Sequence, residues 1–288
     1  MTAAELSRAA LSEFPLPPQS DGDKDDHGRL LIIAGSRQIP GAALLSARAA
    51  LRSGAGKIRI ATAGSVAPAM ALRILEALVV PLEETPGGGC SESCVPEIAA
   101  QADQTDAILA GPGMDRGGAN AGIAKALLKS GKPIAFDAAM LHCLAEVASE
   151  CRAAAHPAVL LPHSRELAAL LQTTEEEVAA DRLAAARKAA DQYRAVVLAK
   201  GSVSHIAAPD GRCWTYDGGV PSLGVAGSGD TLAGIAGALL ARGAEPVTAL
   251  LWAVLLHGEA GESLSRKIGP VGFLAREIPD EIPALLAR

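Results

Sequence analysis

Short runs of apolar residues alternate along the chain with longer stretches in which alanine and leucine recur at helical spacing. The alternation of strands and helices is typical of an α/β fold with three layers: a doubly wound, mostly parallel sheet with helices on both faces. Asp210-Gly211 predicts an antiparallel hairpin near the edge of that sheet, between residues 204–208 and 212–216. The apolar runs predict buried strands at residues 30–34, 57–62, 77–81, 106–110, 133–137, 158–161 and 195–199. The helical spacing predicts helices at residues 41–52, 66–78, 120–129, 166–171, 175–193, 235–242 and 245–266.

The 288 residues contain neither a linker nor an internal repeat, so we predict a single domain over residues 1–288. Residues 1–28 are polar and proline-bearing, with a charged run at 21–28, and are predicted to form a lead-in to the first strand. Residues 83–95 contain three consecutive glycines and are predicted to form a loop.

Composition and charge exclude several classes of partner. The net charge is −6 without a basic run and aromatic residues make up only 2%, so we expect neither nucleic acid nor a membrane surface as a partner. No apolar stretch approaches the length of a bilayer span, and the N-terminus lacks a secretory signal, so we expect a cytoplasmic protein. Five scattered cysteines suit reduced thiols. Cys90 and Cys94 lack a second Cys/His pair at suitable spacing, which favours two loop thiols over a metal site.

The candidate chemistry is centred on a glycine-dense turn at residues 224–234. Three glycines between 224 and 229 permit backbone dihedrals that side chains would forbid, so the N–H groups of the turn can converge on an anion at a helix N-terminus. Asp230 is unusual there, because a carboxylate repels a phosphate. A base beside an anion cradle suits a hydroxyl that loses its proton while it attacks a phosphoryl group. The alternative is that Asp230 only caps the helix.

Polar and glycine residues also follow the carboxyl ends of other predicted strands, which is the edge where open α/β sheets bind ligands. We expect them to meet Asp230 in one crevice. Each has a structural alternative, since the acids and histidine could cap helices, the glycines could serve turns alone, and the lysine could be a solvated strand end. The chain lacks both a P-loop and the glycine pattern of a Rossmann fold. The residues concerned are Gly35-Ser36, Gly111-Pro112-Gly113, Asp137, His163 and Lys200-Gly201.

Together these motifs resemble the ribokinase-like superfamily, and within it the ADP-dependent NAD(P)H-hydrate dehydratases. Gly-Ser-Gly-Asp at 227–230 is common to the superfamily, whereas its combination with Ala-Gly-Ser at 34–36, Gly-Pro-Gly at 111–113 and Pro-His-x-x-Glu at 162–166 points to the dehydratases. The resemblance covers about residues 24–277, with the blocks in the same order along the chain. Further matching blocks are Lys24 with Gly28, residues 31–36, Gly41-Ala42, residues 48–56, Asp137-Ala138 and Lys200-Gly201.

The resemblance implies an enzyme that restores NADH or NADPH from forms hydrated at C6 of the nicotinamide ring. ADP or ATP, with Mg²⁺, phosphorylates the new hydroxyl, and phosphate then leaves because it is a better leaving group than water. The implied partners are the hydrated dinucleotide and the adenine nucleotide, and we also expect a homo-oligomer. The resemblance makes Asp230 the catalytic base and places the hydrated substrate on Ala42, Gly113, His163 and Asp230. It places the nucleotide on Lys200, Gly201, Ser202, Val203, Ser204 and Gly229.

Several residues depart from the family pattern, mainly on the side of the second substrate. Arg165 is the bulkiest departure, and its guanidinium could extend into solvent or bind a substrate phosphate. Two alternatives therefore stay open: a kinase of a hydroxymethyl vitamin precursor, of the hydroxymethylpyrimidine or hydroxyethylthiazole type, and a nucleotide-binding protein without turnover. ADP versus ATP and NADH versus NADPH stay open too, and we expect no counterpart of the epimerase domain often fused N-terminally in this family. The departures are Ile39, Ala139, Leu161, Ser164 and Arg165, with Ala199 and Ser204 near the nucleotide.

Overall fold

Ten strands lie in one sheet in the computed structural model, whose described residues are 3–18 and 26–288. Lys24 and most of the charged run at 21–28 lie outside the described residues. The strands are β1 (Ala4–Glu5), β2 (Arg29–Ile33), β3 (Lys57–Ala63), β4 (Ala77–Leu82), β5 (Ala107–Ala110), β6 (Ile134–Phe136), β7 (Val159–Leu160), β8 (Val196–Ala199), β9 (Ser204–Ala207) and β10 (Cys213–Tyr216). Their order is β1-β10-β9-β8-β7-β6-β5-β2-β3-β4. Only β9 runs antiparallel to its neighbours, which confirms the predicted α/β sheet.

Eleven α-helices connect or flank these strands in the described part of the chain. They are α1 (Gly41–Arg52), α2 (Ala67–Ala71), α3 (Val95–Asp103), α4 (Ala119–Lys129), α5 (Ala148–Ala153), α6 (Ser164–Leu171), α7 (Glu175–Ala180), α8 (Arg182–Tyr193), α9 (Ser228–Ala241), α10 (Pro246–Lys267) and α11 (Ile278–Leu286). Short 3₁₀ segments lie at Ala10–Glu13, Glu92–Cys94, Ala138–Val147, Pro221–Leu223 and Ala275–Glu277. Within residues 3–18 and 26–288 no helix combines the length and the apolarity that a bilayer crossing requires.

The sheet separates two hydrophobic cores, and strand β2 shows how its sequence supplies both. Leu30 and Ile32 are fully buried on one face, where they pack with α1, α9, α10 and α11. Leu31 and Ile33 are fully buried on the other face, with α3, α4, α6 and α8. Successive side chains of a strand point to opposite faces, so a parallel strand covered on both faces reads as a continuous apolar run. The predicted three-layer arrangement follows from this pattern.

Several predicted boundaries were wrong, each for a local reason. The helix predicted at 66–78 ends at Ala71, since the following turn feeds strand β4. The helix predicted at 175–193 is two helices, because Asp181 leaves the helical conformation and accepts a hydrogen bond from the Ala184 amide to cap α8. Helix α9 begins at Ser228, well before the predicted start at residue 235, and helices α3, α5 and α11 and the 3₁₀ segment after β6 were not predicted. Within the predicted polar lead-in, β1 pairs with β10 at the edge of the sheet.

Candidate active site

The loops that follow the central strands are held together at one edge of the sheet by backbone hydrogen bonds. The Gly35 amide donates to the Pro112 carbonyl at 2.8 Å, which joins the loops after β2 and β5. The Lys200 amide donates to the Pro162 carbonyl at 3.0 Å, which joins the loops after β8 and β7. The predicted residues at the carboxyl ends of these strands therefore do meet at this edge, where the N-terminus of α9 also lies.

The glycine-dense turn enters α9 through Gly227, whose φ of +91° is in the left-handed region that favours glycine. Helix α9 begins at Ser228 without a side-chain cap, so the alternative that Asp230 serves as the cap is wrong. Other side chains support the turn instead. Thr231 donates its hydroxyl to the Ser228 carbonyl at 2.7 Å, and Ser46 of α1 donates to the Asp230 carbonyl at 3.0 Å. The Ser228 amide donates to the Val225 carbonyl at 3.1 Å, whereas the next two amides, of Gly229 and Asp230, have no backbone partner among the described residues and are available to an anion.

The carboxyl group of Asp230 is partly buried within this edge of the sheet. Burial raises its pKa from 3.8 to about 6, and the negative charge of Asp137 adds to this rise, whereas the ammonium of Lys200 opposes it. A carboxylate with a pKa near the working pH is a stronger proton acceptor than an ordinary aspartate and is still ionised at neutral pH. Asp230 therefore has the properties of a general base.

Asp137 and Lys200 form an ion pair beside Asp230, with 2.8 Å between Lys200 Nζ and Asp137 Oδ1. The Asp137 side chain is 4% exposed and that of Lys200 is 21% exposed, so the lysine is not a solvated strand end. Asp137 makes no side-chain cap to the segment that follows it, so the cap alternative is also wrong. A methyl group on Gly229 would lie 3.7 Å from Lys200 Nζ. The ammonium group is thus next to the amides at the start of α9.

A cavity of about 710 Å³ opens on one side of this turn, and we call it the apolar cavity. Its walls are mainly aliphatic, with Val220, Leu223, Leu232 and Val254 among them. This size is typical of a pocket for a small organic ligand. Of the residues predicted to hold the nucleotide, all but Val203 line this cavity: Lys200, Gly201, Ser202, Ser204 and Gly229.

Ala42 and Gly113, both predicted to contact the hydrated substrate, lie against each other outside the apolar cavity. Gly113 has a φ of +64°, and a methyl group on it would come within 2.6 Å of both the Ala42 Cβ and the Ile39 carbonyl oxygen. A side chain at 113 is therefore excluded by conformation and by space. The two residues pack the loops after β2 and β5 closely together.

His163 caps a helix and also lines the apolar cavity. Its Nδ1 caps helix α6 by accepting hydrogen bonds from the amides of Arg165 and Glu166, while the Glu166 carboxylate accepts one from the His163 amide. The same imidazole, half-exposed, lines the apolar cavity. It therefore shares this cavity with Lys200 and Gly229, whereas Ala42 and Gly113 do not line it.

The residues that depart from the family pattern are divided between surface and core. The Arg165 guanidinium is 75% exposed and its Nε lies 3.5 Å from Glu175, so this side chain extends along the surface. Ile39 is exposed, whereas Ala139 and Leu161 are buried among apolar residues. Ser164 is the first residue of α6.

Sequence reasoning missed His257, which lies under the turn from helix α10. Its Nε2 is 3.0 Å from the hydroxyl and 3.1 Å from the carbonyl oxygen of Ser228. Burial lowers the pKa of His257 to about 4, and Lys200 acts in the same direction, so the imidazole is neutral at physiological pH. A neutral ring here fixes the first turn of α9. The only available signal was one histidine inside an otherwise apolar helical stretch.

The cysteines contribute no nucleophile to this crevice. All five are free and buried, and burial raises the pKa of Cys90, Cys143 and Cys151 to about 12. A thiol with such a pKa is inert, because the thiolate is the reactive form. Among the described residues no three His, Cys, Asp or Glu side chains come together as a metal cluster.

Comparison with known proteins gives consistent likenesses. A family model described as NAD(P)H-hydrate dehydratase matches residues 30–284. The ADP-dependent (S)-NAD(P)H-hydrate dehydratase of Xanthomonas campestris is 44% identical over 285 residues, which are 98% of this chain and 96% of the relative. The bifunctional NAD(P)H-hydrate repair enzyme of Moorella thermoacetica is 35% identical over 98% of this chain, which spans only 53% of that relative.

A solved structure gives the same result at the level of the fold. The ADP/ATP-dependent NAD(P)H-hydrate dehydratase of Bacillus subtilis, co-crystallized with ATP/Mg²⁺, has a TM-score of 0.83 and is 27% identical, with 100% of this chain and 99% of the other covered. These likenesses support the dehydratase over the kinase alternative. On the family model and on the identity over nearly its full length, the chain belongs to the NAD(P)H-hydrate dehydratase family.

Proposed function

We propose that the crevice around Asp230 dehydrates C6-hydrated NADH or NADPH at the expense of ADP or ATP. The observation that carries this proposal is the position of Asp230: a carboxylate with a raised pKa stands beside a lysine and the amides at the start of α9. An enzyme that only hydrolysed the nucleotide would need no base directed at the hydroxyl of a second substrate. A phosphoryl transfer to a hydroxyl does need one.

The apolar cavity holds the adenine nucleotide. Its aliphatic walls suit a planar base, and its polar end is formed by the loop at Lys200–Ser204 and by Gly229. The phosphates then face the amides at the start of α9 and the Lys200 ammonium, which Asp137 holds at 2.8 Å. The hydrated ring lies on the other side of Asp230, near Ala42 and Gly113.

The reaction takes place in two steps whose atoms balance. The C6 hydroxyl oxygen forms a bond to the terminal phosphorus while Asp230 accepts the hydroxyl proton, and the bond from that phosphorus to the bridging oxygen breaks to release AMP or ADP. The C6–O bond then breaks to release phosphate, and the neighbouring ring carbon loses a proton to water, which restores the double bond; Asp230 also returns its proton to water. Lys200 and the α9 amides stabilise the charge that develops on the phosphoryl oxygens.

The residues present fit Mg²⁺ bound together with a nucleotide. Mg²⁺ is usually held by one or two carboxylates and substrate phosphates rather than by an all-protein cage. Asp137 is a buried carboxylate in contact with Lys200, which lines the apolar cavity, and would hold the ion. When bound, Mg²⁺ would neutralise phosphate charge. ADP or ATP as the preferred donor, a homo-oligomeric assembly and a cytoplasmic location remain predictions.

Product analysis tests the proposed function. Purified protein is incubated with hydrated NADH or NADPH, Mg²⁺ and either ADP or ATP, while the absorbance of the reduced nicotinamide is followed. We expect absorbance to return with one phosphate and one AMP or ADP released for each dinucleotide repaired. A stable phosphorylated product would instead identify a kinase. Nucleotide binding without any product would identify a binding protein.

A further inference from the structure

A second large cavity lies along the outer face of helix α1, and we call it the arginine groove. It has a volume of about 1010 Å³ and is lined by four arginines, Arg48, Arg52, Arg73 and Arg276, and one acid, Glu76, over an aliphatic floor. The arginines come from three separate parts of the chain: helix α1, the segment after α2, and the 3₁₀ segment before α11. A chain with a net charge of −6 thus concentrates positive charge at one place.

Two of these arginines are paired with a carboxylate and two are not. Arg48 and Arg52 share the carboxylate of Asp280, at 2.6 and 3.2 Å. Neither Arg73 nor Arg276 has an ion-pair partner among residues 3–18 and 26–288. Guanidinium groups bind phosphates through paired hydrogen bonds, and a concave surface with an excess of positive charge attracts anions: the four arginines outnumber the two acids, Glu76 and Asp280. The groove therefore suits a phosphate-bearing ligand.

The arginine groove reaches the catalytic turn at Gly227, which does not line the apolar cavity. A methyl group on Gly227 would lie 2.5 Å from Leu45 Cδ1, 3.2 Å from the Ala275 Cβ and 3.9 Å from Asp230 Oδ2. Leu45 lines the groove, and Ala275 immediately precedes Arg276. The side of Gly227 that faces the groove is therefore within a few ångströms of both the Asp230 carboxylate and the groove wall.

The other end of helix α1 connects the groove to the substrate residues. Gly41, its first residue, lines the groove, and the next residue is Ala42, which lies against Gly113. A molecule whose reacting ring lies between Asp230 and Gly113 can extend from there along α1. The rest of a dinucleotide is an adenosine with two bridging phosphates, and the NADP form carries a third phosphate.

We propose that the arginine groove binds the phosphate-bearing adenosine half of the dinucleotide substrate, with Arg73 and Arg276 as the phosphate contacts. This assignment rests on the proposed function, because it takes Asp230 as the base that receives the hydrated ring. It gives the two substrates separate cavities, both of which reach one turn. The adenine nucleotide lies in the apolar cavity, and the dinucleotide lies in the groove.

The test removes the two unpaired charges together, in Arg73→Gln/Arg276→Gln. We expect the KM for hydrated NADPH to rise about tenfold, since two charge-assisted hydrogen bonds are lost, while the KM for ADP stays the same. The KM for hydrated NADH rises less, because it lacks the third phosphate. Arg266→Gln is the matched control: Arg266 is an exposed arginine of α10 that pairs with Glu262, and we expect no change in either KM.

A competition experiment with adenosine 2′,5′-bisphosphate gives a second readout. We expect this probe to compete with hydrated NADPH but not with ADP, and to lose its effect in the double variant. An unchanged KM for hydrated NADPH in the double variant would overturn the proposal. If the double variant also has a lower oligomer mass in sedimentation, the groove is instead an interface between copies of this chain. Absence of turnover by the wild type would instead disprove the proposed function itself.

Discussion

The apolar cavity and the arginine groove both reach the Gly227–Asp230 turn through different residues, and they differ in how charge is arranged. In the apolar cavity the lysine is already paired with a buried carboxylate, and most of the wall is aliphatic. In the arginine groove two guanidinium groups have no partner among the described residues, and the site is open to solvent along α1.

This difference indicates how each side recognises its ligand. A paired lysine in a partly closed cavity has little freedom to rearrange, so the apolar cavity is largely preorganised for one phosphate position. Unpaired exposed arginines attract any phosphate and depend on the ionic strength. Substitutions at Asp230, Gly229 and Arg165 test this comparison.

Replacement of the base should affect the chemistry while both cavities keep their ligands. We expect Asp230→Asn to lower kcat by roughly 10²-fold or more, the usual contribution of a positioned general base. The affinity for ADP, measured by calorimetry, should stay within a few-fold, because Asp230 does not line the apolar cavity and does not cap α9. A variant that keeps more than half of the wild-type turnover would remove Asp230 from the mechanism.

The sequence was sufficient to predict the sheet and the residues at its carboxyl edge, because a parallel strand buried on both faces reads as a continuous apolar run. It also singled out Asp230, since a carboxylate in a glycine turn conflicts with an anion cradle. It could not predict that His257 lies under Ser228, because residues 29 positions apart meet only through the packing of α10 on α9. The raised pKa of Asp230 likewise depends on burial, which no local pattern encodes.

The arginine groove was unpredictable for the same reason. Arg48, Arg73 and Arg276 are far apart in sequence, and no basic run marks them. Only the position of α1 between the segment after α2 and the segment before α11 brings them together. The role of His163 is intermediate: its Pro-His-x-x-Glu motif was recognised, but its position in the wall of the apolar cavity depends on how α6 is placed against β8.

A substitution in the apolar cavity should affect nucleotide binding alone. We expect Gly229→Val to weaken ADP binding by at least tenfold, because its methyl groups enter the space beside the Lys200 ammonium where phosphate would lie. Gly229→Ala is the graded control: its single methyl group would lie at an ordinary contact distance of 3.7 Å from Lys200 Nζ, so binding should fall less. Both are measured by calorimetry. Normal ADP binding by a folded but less stable valine variant would make Gly229 a packing residue.

The raised pKa of Asp230 also has a consequence for stability. The folded-state pKa of about 6 exceeds the ordinary 3.8, so the folded state favours the protonated carboxyl group. Its contribution to the free energy of unfolding is fully present below pH 3.8 and is lost as the pH rises through about 6. Asp230→Asn should therefore be more stable than the wild type by roughly 1–2 kcal/mol at pH 8, a value discounted for partial solvent exposure. The difference should shrink toward pH 4.

Denaturant unfolding at pH 8 and at pH 5 measures this difference. Asp103→Asn is the matched control, because Asp103 is an exposed aspartate at the end of α3, far from the turn in sequence. We expect that control to change the free energy of unfolding by less than about 0.5 kcal/mol. If Asp230→Asn is equally stable or less stable at pH 8, the carboxylate is better solvated than its burial indicates.

The smallest effect is expected at Arg165, which contrasts with the two unpaired arginines of the groove. Its guanidinium is 75% exposed and pairs with Glu175 at 3.5 Å, and it lines neither cavity. An exposed pair of this kind contributes little to stability or binding. We therefore expect Arg165→Lys to leave the KM of ADP and of hydrated NADPH within about twofold of the wild type, because lysine keeps the charge.

A clear rise in the KM of hydrated NADPH, larger than the rise for hydrated NADH and absent for ADP, would show that the dinucleotide extends past His163 toward α6 and not along α1. Such a result, combined with a normal Arg73→Gln/Arg276→Gln variant, would move the phosphate contacts from the groove to the start of α6.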